Sequence, residues 1–499
     1  MGEAKVSTFE PDFNRSVKVE FTDQRITSNA GVLLLREADF KLELISSIAS
    51  QMRDARRQDL IRYQLGDLLR ERVYAMAMGH SAQDDVDRLA HDPAFRTAVW
   101  DRAGDGVMDE RLASQPTQSR LIGMIADHQT NINALREGLV RCVERHILST
   151  GDDHRVMYGT IDLDSFPIEV HGRQQGSNYN GHYRCTAYHP LVASFSVGGN
   201  YDSTREGQRL GNGFIHAILR QGSVHTAKGA RRFIGNVVQR AKRLARVIDF
   251  RMDAGYTCGE IMDALSAEKL KFVGRLRGNA KLDALAAEHV IRRPGRPPRE
   301  GYEYCVDLGL YQSDSWQYAQ RLILVVVDRP DPVSGQLDLM PDHFFLVTNW
   351  DATQRTPDDL LAHYRPRGTF EDRLGEFNQA IGSHLSSRSF AENEATMLLA
   401  MLAFNLANVV RNEHEDIQGS CMDLGRFQNQ VLKAGAQIVK HSRRLIVRVA
   451  RSVQDFWSHI SGRISAWKLP DRLRLNPRPN RRALRPPPRH SHLIEVLRA

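Results

Sequence analysis

Two apolar segments separated by a helix signal, between residues 245 and 276, constrain the fold most. Ala245-Arg-Val-Ile-Asp-Phe-Arg-Met-Asp253 has the composition of a strand and ends in an acid. Thr257-Cys-Gly-Glu260 carries the Thr-x-x-Glu spacing of a capping box, which starts a helix, and Lys271-Phe-Val-Gly-Arg-Leu276 reads as the next strand. Strand, helix, strand in that order implies a parallel pair, and parallel sheets collect their chemistry at the carboxyl ends of the strands. Upstream, Val156-Met-Tyr-Gly-Thr-Ile-Asp162-Leu-Asp164 is a further strand pattern. Its two acids share one face, because strand side chains alternate. An α/β sheet with carboxylates at its strand ends is the expectation.

The flanking segments differ. Residues 31–50, 60–79 and 118–148 carry apolar residues at helical spacing, so residues 1–150 are expected to be mostly helical. Within it, Ser114-Gln-Pro-Thr117-Gln-Ser-Arg120 reads either as an ordinary helix start or as a set of side chains that grip DNA, Arg120 foremost. A glycine- and tyrosine-rich stretch, His171 to Tyr188, suggests a tight hairpin after the first acids. Residues 280–350 break the alternation with three antiparallel strand patterns, a β insertion inside a core spanning 151–415. Glu392 to Arg411 reads as an apolar core helix, residues 416–475 as a C-terminal helical region, and 476–499 as a disordered Pro/Arg-rich tail.

At 499 residues the chain exceeds what one simple core organises. A net charge of +8 suits a polyanionic partner, and from Gln437 onward 15 Lys/Arg face three acids. No run of about 18 apolar residues marks a membrane span. The opening MGEAKVSTFEPDF lacks a secretory pattern, and five scattered cysteines suggest neither a zinc cage nor a disulfide framework. A cytoplasmic protein is expected.

A third acid lies in Tyr364-Arg-Pro-Arg367-Gly-Thr-Phe-Glu371. Arg367, Glu371, Leu374 and Asn378 are spaced 4, 3 and 4 apart, so a helix puts them on one face. A cation beside a carboxylate is either a salt bridge or half of a site that grips phosphate and holds a metal. With Asp164 and Asp253, Glu371 completes a set of hard oxygen donors of the kind Mg²⁺ requires. Two such ions activate water and stabilise a leaving oxygen in phosphodiester cleavage. Spacing alone does not select these three from 60 acids. Trp316 is a candidate for stacking on an unpaired base or for a structural role. Lys228, Arg231 and Arg232 offer a basic helix face, toward DNA or toward solvent.

The chain resembles bacterial insertion-sequence DDE transposases with a Tyr-x₂-Arg-x₃-Glu-x₆-Lys signature, and within them the IS thirteen-eighty family. The resemblance is carried by YRPRGTFEDRLGEFN, IDLDS, HGRQQGSNYNGHYRCTAYHPL, RMDAGY and AENEATMLLAMLAFNLANVVR, preceded in the same order by ITSNAGVLLLRE, DRLAHDPAFR and LASQPTQSR. It covers roughly residues 20–411. It implies an RNase H-like core interrupted by a β insertion and preceded by a helical DNA-binding region over residues 1–150, and cut-and-paste transposition of double-stranded DNA by a homodimer. It implies two Mg²⁺ ions, with Mn²⁺ as substitute, bound by Asp164, Asp253 and Glu371. Tyr364 and Arg367 would hold the DNA backbone. Asp162 is the alternate to Asp164, which the acid-then-Ser/Thr pattern favours. The signature's Lys is replaced by Asn378, which removes one charged phosphate contact and leaves open a second reading, a catalytically inactive DNA-binding protein or repressor derived from a transposase.

Overall fold

The computed structural model describes residues 8–475 apart from 15, 102–104, 151–153, 199–211, 293–297, 299–300, 331–335, 337–339, 383, 415–421 and 443. The tail expected to be disordered, 476–499, lies outside the described residues.

The N-terminal third is helical: α1 (Val32–Leu42), α2 (Leu44–Ala49), α3 (Leu65–Ala77), α4 (Gln115–Ala126) and α5 (Gln129–Thr150) are its main elements. They are followed by β1 (Val156–Ser165), β2 (Leu191–Val197), β3 (Gly213–Ile218), α6 (Ala230–Leu244), β4 (Ala245–Met252), α7 (Gly259–Ala267) and β5 (Lys271–Leu276). Then come β6 (Tyr302–Tyr311), β7 (Gln320–Asp328), β8 (Asp342–Thr348), α8 (Pro357–Tyr364), α9 (Gly368–Ala380) and α10 (Phe390–Asn412).

One eight-stranded sheet organises the middle of the chain, in the order β6-β7-β8-β5-β4-β1-β2-β3. The strand–helix–strand signal produces parallel β4 and β5, and β1 lies parallel to β4 with Met252 opposite Leu163. The carboxyl ends of β1 and β4 therefore sit side by side, which brings Asp164 and Asp253 to one end of the sheet. The segment expected as a β insertion does not stand apart. β8 pairs antiparallel with β5, so β6, β7 and β8 extend the main sheet. Leu322, Leu324 and Val326 alternate with Ile323 and Val325, and all are fully buried, because both faces of β7 are covered.

The helices do not form a separate N-terminal body. Residues of α1, α3, α4 and α5 share one apolar core with α9 and α10. Helix α10 is apolar all round, is capped by Ser389 accepting from Glu392 N, and lies among them. Its 23 residues are long and apolar enough to cross a membrane, but its most apolar stretch is wholly buried inside the protein. Asn405 on α10 accepts from Phe214 N at 2.9 Å and donates to Phe214 O at 2.8 Å, which satisfies the outer edge of β3.

The C-terminal region 416–475 is not uniformly helical, contrary to expectation. It contains a hairpin, β9 (Ala436–His441) and β10 (Arg444–Val449), paired with the short strand Ile26–Thr27, and then a helix, Gln454–Ala466. The cause is a period of two: in Arg444-Leu-Ile-Val-Arg-Val exposed and half-buried side chains alternate. Ser442, in a left-handed conformation at φ 55°, makes the turn. The Gly-rich stretch expected as one hairpin is a three-stranded sheet, with Cys185–Tyr188 between Ile168–Glu169 and Asn178–Asn180.

Candidate active site

The two acids of β1 share a face but meet different surroundings. Asp162 lies opposite Arg251 of β4, whose Nε and Nη2 donate to its two carboxylate oxygens at 2.8 and 2.6 Å. Both side chains are buried, so the pair is a closed fork turned away from the solvent-facing end of the sheet. Arg251 also donates toward His363 O, and the His363 ring bonds buried Asp249 at 2.9 Å, which ties β4 to the end of α8.

Asp164, one pleat further, reaches outward. Its carboxylate accepts from Arg367 Nη2 at 2.9 Å and from Ser165 N at 2.8 Å. Burial pushes its pKa up to about 6; Arg367 opposes that rise, and the nearby carboxylates of Asp253 and Glu371 add to it. Asp253 follows the last residue of β4 in a tight turn closed by Tyr256 N donating to Asp253 O at 2.9 Å. Its half-buried carboxylate has no hydrogen-bond or ion-pair partner among the described residues.

Arg367 ends the turn Arg365–Arg367, which runs directly into α9. It is buried, and its Nη1 donates to Glu371 one helical turn on while Nη2 holds Asp164. Glu371 is more than half exposed on the first turn of α9. Thus the three acids proposed from the sequence are brought to one place, with the Arg367 guanidinium between two of them. Tyr364 lies half-buried beside them, and burial, with Asp253 and Glu371 adding to it, pushes its hydroxyl up to about 12. It keeps its proton at neutral pH.

The remaining candidates separate. Asn378 is exposed two turns beyond Glu371 on α9. Arg120 is exposed on α4, a helix packed on α5 and α10 rather than one that carries an acid. Trp316 is corrected: only 8 % exposed, it packs edge-on against Tyr311 and against the start of α7 at Gly259, so its ring is committed to the core and offers no face to a base. Two tyrosines that sequence reasoning missed stand near the acids. The hydroxyls of Tyr183 and Tyr256 are both pushed up, chiefly by burial and also by Asp164. The only cue was their place in the tyrosine-rich stretch and in RMDAGY.

Among the described residues no three acids, histidines or cysteines are drawn close enough together to hold a metal ion. The donor chemistry nevertheless fits one. Asp164, Asp253 and Glu371 are hard oxygen donors, and the cation of Arg367 occupies the space between two of them as a stand-in positive charge.

A family model described as Transposase DDE domain group 1 matches residues 9–468. No curated protein matches the chain. Among solved structures, a piggyBac transposase synaptic complex with hairpin DNA is similar at 14 % identity and a TM-score of 0.40, over 90 % of this chain and 83 % of that one. With the family match running along nearly its whole length, the chain belongs to the transposases of DDE domain group 1.

Proposed function

We propose that this protein is an active DNA transposase, cleaving phosphodiester bonds at the ends of an insertion sequence and joining the freed 3′-hydroxyl to target DNA. The carrying observation is the placement of Asp164, Asp253 and Glu371 around Arg367 at the carboxyl ends of two parallel strands. The strand order β3-β2-β1-β4-β5, with only β2 antiparallel to its neighbours, supports an RNase H-like core. Within the DDE family, the Tyr364, Arg367 and Glu371 spacing supports the IS thirteen-eighty group.

The three carboxylates would hold divalent metal, Mg²⁺ in the first instance, which supplies charge stabilisation and an activated oxygen nucleophile when bound. The chain's own residues do the rest. Arg367 carries a planar fork that matches two phosphate oxygens, and it is held ready by Asp164 and Glu371. Its guanidinium would turn from those two carboxylates to the phosphodiester oxygens when DNA enters the site. Tyr364 keeps its hydroxyl proton and donates to a backbone oxygen. Asp162 takes no part in binding; through Arg251 it fixes β1 against β4, so the register of Asp164 and Asp253 is set from beneath. Double-stranded DNA is the partner, with two copies of the chain bringing two ends together.

Labelled duplexes carrying the element end, incubated with Mg²⁺, should give nicked and then joined products, and EDTA should abolish both. A footprint on the ends without any nicking would favour the repressor reading instead.

A further inference from the structure

On the face of the sheet away from the acids lies a cleft of about 1000 Å³ between the start of α5, the edge strand β3 and α6. Strand alternation fixes the face. His216 of β3 is opposite Ala193, which is opposite Leu163, whereas Asp164 aligns with Val192 and Ala217. The cleft nevertheless lies toward the same sheet end as the acids, since Ile218 aligns through Leu191 with Ser165. Two strand spacings, roughly 10 Å, separate His216 from Leu163 across the sheet.

Its lining is polar and built. His216, 3 % exposed, is stacked on Phe233 at 4.7 Å, and neither of its ring nitrogens has a partner. Burial pushes its pKa down to about 2, so the ring is neutral. The Nε atoms of Arg136 and Arg240, which also line the cleft, are buried without acceptors. The outer rim is α6, and from Leu219 to Ile248 the chain has eight Lys/Arg and no acid. Lys228, just before that helix, and Arg231 and Arg232 in its first turn stand exposed, and among the described residues none of them has an ion-pair partner. Glu137 and Glu394, the acids in the cleft, are already paired with arginines.

We infer that this cleft and the basic face of α6 form a second DNA track, gripping the phosphodiester backbone of a duplex segment other than the one between the acids. This rests on the transposase reading. Exposed cations on the rim with no ion-pair partner are what a run of phosphates would neutralise.

The test uses full-length protein and a fluorescent duplex of arbitrary sequence at several salt concentrations. Lys228→Ala/Arg231→Ala/Arg232→Ala, with its thermal melt unchanged, should weaken binding at least tenfold and make the slope of log K against log salt about 2.7 less steep, about 0.9 for each phosphate that a removed cation had neutralised. Unchanged affinity and slope would overturn the inference. So would stoichiometric binding of inorganic pyrophosphate, lost in that variant while duplex binding persists, because the cleft would then serve a small anion. The parent reading fails separately. A wild-type protein whose slope depends on α6 but which cuts no element end keeps the track and loses the transposase; cleavage with an α6-independent slope does the reverse.

Discussion

Asp162 and Asp164 lie two residues apart on one strand face, and the neighbouring strand decides between them. Arg251 closes on the deeper carboxylate, and the shallower one is left to Arg367. Asp162→Asn leaves a buried guanidinium short of its counter-charge, and we expect it to cost about 3–5 kcal/mol in urea unfolding. Asp164→Asn should cost far less while removing cleavage. If the two variants unfold at the same urea concentration, the division of labour is wrong. A second buried acid, Glu71 on α3, reports through pH. Burial pushes it up to about 8, although Gln118 and the Ala113 amide donate to it. Because that value lies above the 4.5 of an unperturbed glutamate, the stability it contributes is complete below pH 4.5 and is lost as pH rises through 8. The melting temperature of wild type should therefore fall between pH 6 and 9 more than that of Glu71→Gln. Parallel pH profiles would contradict the assignment.

At the level of elements, the edge strand β3 is held by one amide side chain of α10. Asn405→Leu would leave the Phe214 N–H and C=O without partners in a dry interior, at about 1–3 kcal/mol for each group. Hydrogen exchange at the Phe214 amide should accelerate, with protection of β4 and β5 retained; unchanged exchange would mean that another group covers the edge. The parallel pair β4–β5 and the helix between them were legible because local pattern and tertiary role agree there. The capping box read at Thr257 does not form: Cys258 precedes the helix without a side-chain cap, and Thr257 Oγ1 donates instead to Arg275 O at 2.7 Å. Two segments were misread for identifiable reasons. The hairpin at 436–449 hides in a stretch dense in Lys/Arg, where charge drew attention from a period of two. The strands near 302–348 read correctly as antiparallel, but nothing local says that β8 docks on β5, since pairing between distant strands is decided by packing.

Across the molecule, the candidate site draws on β1, β4 and α9, whose acids are 89 and 118 residues apart in sequence. Chain order alone could not choose among 60 acids; the strand ends and the helix spacing of Arg367 and Glu371 narrowed the field, and the motif series selected the set. Of the two roles the sequence left open for Trp316, its packing favours the structural one, since Gly259 leaves room for its ring against the start of α7. Tyr183 and Tyr256 were missed because only the folded sheet end brings them to the acids. Helix α9, which carries Glu371, also shares its core with the N-terminal helices, so the two regions form one packed body. The most direct measurement of the central claim is cleavage of a labelled element-end duplex by Asp253→Ala in Mg²⁺, beside its binding of the same duplex. The account predicts binding within a few-fold of wild type and no detectable nicking. Nicking at the wild-type rate would contradict it.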